Sequence, residues 1–190
     1  MTSAAIPLFE QPWPEGEYRF FQLGFVVQDL LTAAQRWARV FGVGPFHAMP
    51  TFEWHMVVRG EPATVTAQVA VAQAGPVQVE LIHQQCDRPS IFRDWSRDGA
   101  CAIHQIATVT SDFDAKMARY RELGYTVAAE SVGGRFRVAY VDTVSDFGFY
   151  TEVVESSPGF LPNLGTIAQA CAAWDGSDPL LLLGRRGRAE

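Results

Sequence analysis

The sequence predicts an α+β fold of two tandem βαβββ units, which form one cup-shaped mixed β-sheet with helices outside and an added C-terminal helix. The first observation behind this prediction is a repeat, because residues 103–124 resemble residues 21–42 in the order of their features. Each copy has a Gln near the start of an apolar strand, an Asp seven residues later and a Gly at the end of an amphipathic helix (Gln22, Asp29 and Gly42; Gln105, Asp112 and Gly124). A period of roughly eighty residues is typical of a duplicated small domain rather than of a solenoid.

The second observation is the spacing of apolar residues in the two helices. These residues recur every three or four positions, which gives each helix one apolar face that can pack on a sheet. The two stripes are Leu30, Ala34, Trp37 and Phe41 in the first copy and Phe113, Met117, Tyr120 and Leu123 in the second. Asp29 and Asp112 are suitable N-caps, and Gly42 and Gly124 suit the left-handed position that follows a helix.

The remaining elements follow each helix in the same order. The predicted strands of the first unit are 20–27, 52–58, 64–73 and 77–84, and those of the second are the start of 103–123, then 126–131, 136–142 and 147–155. The glycines and prolines between residues 42 and 50 predict a loop. After Pro158 a further helix is predicted over residues 164–174, with Asn163 as its cap.

These elements divide the chain into five segments. The predicted boundaries are an extended N-terminal arm at 1–17, a first βαβββ unit at 18–85, a linker at 86–101, a second βαβββ unit at 102–156, and a C-terminal helix and tail at 157–190. The arm contains Pro7, Pro12 and Pro14, which favour an extended chain. The apolar arm and the added helix give more apolar surface than a monomer of this size usually needs, so we expect a homodimer.

Composition narrows the class of protein further. The chain has 190 residues, 48% of them hydrophobic, and its net charge of −6 comes with scattered basic residues, which argues against a nucleic-acid partner. The three cysteines show no CxxC spacing, which fits a reducing compartment better than a disulfide framework. No segment resembles a signal peptide or a membrane span. We therefore expect a soluble, cytoplasmic protein with a small-molecule substrate and no membrane partner.

The alternation of side chains along the strands brings four polar residues to one face of the sheet. Residues 23, 25 and 27 must pack under the first helix, which sends Gln22 to the opposite face. The same argument places Gln105 away from the helices, and it places Glu80 and Glu152 at equivalent points of the last strand of each unit. If the two sheets pair about a pseudo-twofold axis, these four residues converge near the floor of the cup.

This pattern resembles the vicinal oxygen chelate superfamily, which includes glyoxalase I, methylmalonyl-CoA epimerase, extradiol dioxygenases and bleomycin-resistance proteins. The resemblance covers residues 18–156 and is nearest to members like glyoxalase I and the epimerase. It implies metal ligands at the start of the first strand and in the middle of the last strand of each unit, which fall on Gln22, Glu80, Gln105 and Glu152. The family generally has His where this chain has Gln105, so the sequence departs from the family at that ligand.

The neighbouring His104 is interpreted as a core or edge residue, because its position in the alternation points it away from Gln105. Two carboxylates and two amide oxygens form an all-oxygen ligand set, which favours Mg²⁺, Mn²⁺ or Co²⁺ over Zn²⁺. A metal-free site is the alternative. In that case the two buried carboxyls would repel each other, and one would retain a proton.

Aromatic and apolar residues are candidates for the wall of the cup. The predicted pocket residues are Phe46, Trp54, Met56, Arg137 and Tyr150, with Arg137 or Arg135 as the partner of an anionic group. Bulky apolar walls favour a substrate with an apolar or aromatic body, and a CoA thioester is one form that such a substrate can take.

The sequence is compatible with two functions. The first is an enzyme that removes a proton alpha to a carbonyl and stabilises the enolate, as family isomerases, epimerases and lyases do, with Glu152 or Glu80 carrying the proton. The second is a non-catalytic binding protein of the bleomycin-resistance type, which needs the apolar cup and no chemistry. A metal at near stoichiometry would favour the enzyme, whereas its absence would leave both a binding protein and a metal-free isomerase open.

Overall fold

The computed structural model describes residues 18–94, 102–134 and 136–183. The predicted N-terminal arm, residues 95–101 of the predicted linker and Arg135 lie outside these ranges. The strands are β1 (Tyr18–Val26), β2 (Phe46–Ala48), β3 (Phe52–Val58), β4 (Glu61–Ala74), β5 (Val77–Gln84), β6 (Ala102–Thr110), β7 (Val127–Ser131), β8 (Val138–Val141), β9 (Tyr150–Glu155) and β10 (Leu180–Leu182). The helices are α1 (Leu30–Phe41), α2 (Phe113–Glu122), α3 (Val144–Phe147) and α4 (Phe160–Ala172), with a 3₁₀ turn at Ile91–Arg93.

The strands form one mixed sheet that curls into a barrel. Its order is β10-β2-β4-β3-β7-β8-β9-β6-β1-β5, and a further pairing of β4 with β5 closes it. The halves β3-β4-β5-β1 and β6-β9-β8-β7 meet through two antiparallel pairs, β1 with β6 and β3 with β7. The prediction of a cup-shaped mixed sheet with helices outside and a C-terminal helix is confirmed.

The two long helices begin at the aspartates that the sequence predicts as caps. The Asp29 carboxylate accepts from the amide of Thr32 at 2.7 Å, and the Asp112 carboxylate accepts from the amide of Ala115 at 3.0 Å. Gly42 ends α1 in the left-handed conformation, with φ at 65°. These contacts satisfy amides of the first turn that the helix itself leaves without a partner.

The barrel wall separates an interior core from two cores under the helices. The α1 core holds side chains such as Leu30, Ala34 and Leu81, and the α2 core holds Phe113 and Met117. The interior core contains the aromatic residues Trp54, Phe92, Tyr140 and Tyr150 among aliphatic ones. Burying an aliphatic or aromatic side chain of this size stabilises the fold by about 1.5–3 kcal/mol.

Several short elements differ from the prediction. The predicted loop at 42–50 contains β2, because the Phe46 amide donates to the Pro179 carbonyl at 2.8 Å and β10 then pairs with β2 in parallel. Helix α4 begins at Phe160 rather than at 164, and its N-cap is Gly159, so the prediction of Asn163 as the cap is wrong. In the described part of the chain, no helix is both long and apolar enough to cross a bilayer.

Candidate functional site

The strand register places the four predicted polar residues around the junction of β1 and β6. Gln22 lies opposite Ala107, and Gly24 lies opposite Gln105. Glu80 is the partner of Gly24 on β5, and Glu152 is the partner of Ala107 on β9. Each Glu therefore pairs with the residue two positions after the Gln of its own unit (Gln22, Gly24 and Glu80; Gln105, Ala107 and Glu152). This equivalence is the pseudo-twofold relation that the sequence repeat predicts.

Gly24 allows the Gln105 side chain to cross β1. A Cβ atom at position 24 would lie 2.2 Å from Gln105 Nε2 and 2.3 Å from Cδ, far inside contact distance. With no Cβ in the way, Gln105 reaches Glu80, and its Nε2 lies 2.8 Å from Glu80 Oε2 and 3.5 Å from Glu152 Oε2. One amide group thus lies between the two carboxyls, which brings the two units of the repeat into direct contact.

A fifth polar residue, Gln78, belongs to the same face. Its Oε1 accepts a long hydrogen bond of 3.5 Å from Gln22 Nε2, and its own Nε2 is buried without a hydrogen-bond partner among the described residues. The alternation along β5 puts Gln78 on the same side as Glu80. That signal is visible in the sequence, but it does not by itself distinguish a site residue from a structural one.

His104 joins this face through a β-bulge. The register between β1 and β6 shifts between Gly24 and Phe25, so that Phe25 lies opposite Ile103 and His104 is the extra residue. The imidazole is 2% exposed, its ring lies 5.1 Å from those of Phe92 and Tyr150, and its Nδ1 contacts Gln105 Oε1. The prediction of a core residue agrees with this burial, but the strict alternation behind it misses the bulge.

The contacts of His104 determine which way the Gln105 amide must face. Nε2 of the imidazole lies 3.1 Å from the Ile91 carbonyl, which can only accept, so Nε2 carries a hydrogen. A contact of Nδ1 with the Gln105 oxygen would require a second hydrogen and a charged ring. Burial lowers the pKa of His104 and favours the neutral ring. A half-turn of the amide removes the conflict, because its NH₂ group then donates to Nδ1 and its oxygen faces Glu80.

In this orientation the Gln105 amide oxygen faces a carboxyl oxygen of Glu80. Two such oxygens repel each other unless a proton or a cation lies between them. The pKa of Glu80 is raised well above its usual value, first by burial and then by repulsion from Glu152, so Glu80 is the group that holds the proton. Burial raises the pKa of Glu152 to about 7, although hydrogen bonding from the Tyr140 hydroxyl opposes the rise. Glu152 is therefore the carboxyl that ionises first, and Glu80 keeps its proton when Glu152 has lost its own.

Tyr140 is a neighbour of this carboxyl pair in the interior core. Its hydroxyl makes no hydrogen bond of standard geometry to any described residue, yet it lies close enough to Glu152 to lower the pKa of that carboxyl. Its own pKa is raised well above the usual value by burial and then by the charges of Glu152 and Glu80. Tyr140 therefore stays a neutral phenol, which can solvate the Glu152 carboxylate in place of water.

A cavity of about 470 Å³ opens beside the two carboxyls. Its described lining comprises Phe21, Gln22, Val71, Gln78, Glu80, Phe136, Glu152, Val154, Ser157, Gly159, Phe160, Asn163, Leu164 and Ile167. Strand β9 shows where the cavity lies along the barrel. Val154 lines the cavity, Glu152 lies at the cavity floor, and Tyr150 packs in the aromatic core. The cavity therefore occupies one end of the barrel interior, and aromatic side chains fill the other.

Most of the predicted pocket residues lie elsewhere. Trp54, Met56 and Tyr150 pack in the interior core and are absent from the described lining. The prediction for Phe46 is wrong, because β2 pairs with the C-terminal half of β4 and this ring is completely buried in the α1 core. The sequence pattern identified bulky apolar residues, but it could not distinguish a packed interior from a cavity wall.

The prediction for Arg137 is also wrong. Its guanidinium lies on the α2 side of the barrel, 2.7 Å from Asp114 and 2.8 Å from Glu155, and 4.5 Å above the Phe113 ring. These partners neutralise the charge outside the barrel. Among the described residues that line the cavity, Glu80 and Glu152 are the acidic ones and none is basic.

The donor set is chemically suited to a hard divalent cation. Among the described residues there is no group of three or more His, Cys, Asp or Glu side chains that could hold a metal. The candidate ligands instead combine two carboxylates with two amide oxygens, from Glu80, Glu152, Gln22 and Gln105. A divalent cation would neutralise the two carboxylates and could replace the proton between Glu80 and the Gln105 oxygen.

Comparisons with known proteins agree with this geometry. The profile of the Glyoxalase/Bleomycin resistance protein/Dioxygenase superfamily matches residues 21–140, which is more than half of the chain. The chain therefore belongs to this superfamily. A search of curated proteins finds no significant match.

Solved structures share the fold at low identity. A variant of Streptomyces coelicolor methylmalonyl-CoA epimerase in complex with 2-nitronate-propionyl-CoA is 22% identical, covers 74% of this chain and 99% of its own, and has a TM-score of 0.50. The epimerase from Mycobacterium tuberculosis is 19% identical over 77% of this chain and 91% of its own, with a TM-score of 0.50. A hypothetical protein from Bacillus halodurans C-125 is 15% identical over 73% of this chain and 94% of its own, with a TM-score of 0.52.

Proposed function

We propose that this protein is an enolising enzyme of the epimerase or isomerase type, which removes a proton alpha to a carbonyl with Glu152 as the base. The observation that carries this proposal is the pair of buried carboxyls, Glu80 and Glu152, held on either side of one amide at the floor of a cavity. A carboxyl whose pKa lies near the working pH is suited to general base catalysis, and that of Glu152 is raised to about 7.

The pseudo-twofold relation gives the two carboxyls complementary roles. Glu152 in its ionised form takes the proton from the carbon next to the carbonyl, and the electron pair of that C–H bond moves into the enolate. Glu80, which holds the shared proton, delivers it to the opposite face of the same carbon. The product then leaves Glu152 protonated and Glu80 ionised, which is the starting state for the reverse reaction. One proton enters and one leaves, so the step balances.

The developing charge on the substrate oxygen needs stabilisation. Gln78 Nε2 is a buried donor without a partner among the described residues, and leaving such a group unsatisfied costs about 1–3 kcal/mol. A bound carbonyl oxygen would satisfy this donor. A divalent cation, held by Gln22, Glu80, Gln105 and Glu152, would supply the same stabilisation as a Lewis acid.

The structural neighbours support the reaction class and do not define the substrate. One epimerase neighbour binds methylmalonyl-CoA and ammonium, and another binds 2-nitronate-propionyl-CoA. Their identities to this chain are 22% each, which supports a shared fold. A non-catalytic binding protein is the second candidate, because an apolar cavity under α4 can hold a ligand without any reaction.

Exchange of substrate protons with solvent tests the proposal. We expect the wild-type protein to exchange the alpha protons of a bound carbonyl compound for deuterium in D₂O, as followed by ¹H NMR. Glu152→Gln keeps the shape of the side chain but removes the base, so exchange should fall by at least about 10²-fold. Glu155→Gln is the matched control, because it lies on the same strand and its carboxylate pairs with Arg137 outside the barrel. Equal loss in both variants, or full activity in Glu152→Gln, would contradict the assignment.

A further inference from the structure

Helix α4 forms the roof of the cavity. Phe160, Leu164 and Ile167 recur at spacings of four and three along one face of the helix, and all three line the cavity. Each of these side chains is only half-buried, although Phe160 and Leu164 also pack against the interior core. The helix therefore covers a space rather than filling it.

Contacts at both ends hold this roof in place. At the start of the helix, the Phe160 ring packs edge-to-face on the Phe21 ring, with centroids 5.2 Å apart. The centroid of the Phe136 ring lies 6.4 Å from that of Phe160. At its end, the Cys171 sulfur accepts from the Gln73 amide at 3.2 Å, on strand β4. The Trp174 ring then covers Gly44 so closely that a Cβ atom there would lie 2.8 Å from it. The helix is thus fixed across the open end of the barrel.

The space under α4 has a definite size and charge. Its volume of about 470 Å³ falls in the range of small-molecule pockets. The walls are largely apolar, and the charged side chains of the described lining are the two carboxyls at the floor. An anionic group placed here would meet like charge at the floor and no basic partner among the described lining residues, while losing its hydration.

We propose that α4 makes this site selective for compact, uncharged carbonyl compounds with an aromatic or branched apolar body, and that it excludes acyl-CoA thioesters. The apolar body would lie against Leu164 and Ile167, and the carbonyl would reach the floor at Glu80, Glu152 and Gln78. The role of the carbonyl rests on the proposed enolising function. The fit of the apolar body rests on the shape of the cavity alone.

Binding of two probes tests the selectivity of wild-type protein. 1-Phenylpropan-2-one is a compact neutral ketone with an aromatic body, and propionyl-CoA carries a thioester carbonyl with alpha protons on a polyanionic carrier. We expect ligand-observed NMR to show saturable binding of the ketone and none of propionyl-CoA at equal concentration. Binding of propionyl-CoA with equal or higher affinity would overturn the proposal, as would the absence of ketone binding.

Substitutions in α4 test the roof directly. Ile167→Trp should fill the cavity and weaken ketone binding at least about tenfold, whereas Gln169→Trp places the same ring on an exposed part of the helix and should change nothing. If circular dichroism shows that Ile167→Trp does not fold, Leu164→Ala replaces it and should weaken binding by roughly threefold or more through lost apolar contact. Unchanged binding in a folded variant would overturn the proposal.

The outcome separates this inference from the function on which it rests. Ketone binding that depends on Ile167, without deuterium exchange in the wild-type protein, would leave the roof proposal intact and contradict the enolising function. Exchange of propionyl-CoA protons by the wild-type protein would support the enolising function and overturn the roof proposal.

Discussion

Gly24 is the single residue on which the arrangement of the site most depends. Alanine at this position would place a methyl group 2.2 Å from Gln105 Nε2, so the amide would have to leave its place between the carboxyls. We expect Gly24→Ala to lower the free energy of unfolding by about 1–3 kcal/mol through overpacking. Deuterium exchange should fall at least about tenfold, because the Gln105 contact with Glu80 is lost.

Gly165→Ala is the control for this substitution, because a Cβ atom there meets nothing within 4 Å and alanine favours the helix. It should leave exchange unchanged and raise the stability slightly. Wild-type activity in Gly24→Ala would show that the position of the Gln105 amide is not needed for the reaction.

The raised pKa of Glu152 predicts how stability depends on pH. Its usual value is 4.5 and its value in the folded protein is about 7, so the folded state binds this proton more tightly than the unfolded state does. The resulting stabilisation is fully present below pH 4.5 and is lost as the pH rises through about 7. A shift of this size corresponds to about 3 kcal/mol.

Glu152→Gln cannot titrate at this position, so its stability should vary less with pH than that of the wild-type protein. Urea unfolding between pH 4 and 8, with a chelator present, measures the difference. The two curves should diverge by up to about 3 kcal/mol over this interval. Parallel curves would mean that Glu152 is not the buried carboxyl that titrates near neutrality.

At the scale of single elements, prediction from sequence succeeded where local pattern decides the structure. The alternating strands and the buried starts of the stripes of α1 and α2 follow from periodicity, whereas the last residue of each stripe, Phe41 or Leu123, is exposed. Asp29 and Asp112 cap their helices as expected. Strands β2 and β10 have too few residues to show a pattern, and they form because they pair with each other across the chain. That pairing depends on tertiary structure, which a local reading of the sequence cannot supply.

The bulge in β6 shows the same limit within the candidate site. Alternation correctly predicts that Gln22, Glu80, Gln105 and Glu152 face the barrel interior, because the pairings of β1 with β5 and of β6 with β9 are regular at these residues. It fails for His104, where one extra residue in the strand turns the side chain to the face of Gln105. The pocket residues Phe46 and Arg137 were misplaced for a related reason, since apolar or basic character does not reveal which core or partner a side chain meets.

At the scale of the whole molecule, duplication explains why the site lies where it does. Each unit supplies one Gln and one Glu, and the pairing of β1 with β6 brings both sets to one place. Helix α4, which lies outside the repeat, then determines which ligands can reach these side chains, because it covers the barrel end that the two units leave open. The predicted homodimer and the divalent metal remain predictions, and neither is needed for the two carboxyls to share a proton.

The pH dependence of deuterium exchange in the wild-type protein tests most directly whether Glu152 is the base of an enolising enzyme. 1-Phenylpropan-2-one in D₂O, followed by ¹H NMR between pH 5 and 9 in the presence of a chelator, provides the measurement. We expect the rate above the uncatalysed background to rise with pH and to level off above about 7, because Glu152 must lose its proton to act. A bound ketone that shows no exchange above background at any pH would contradict the role of Glu152 as the base.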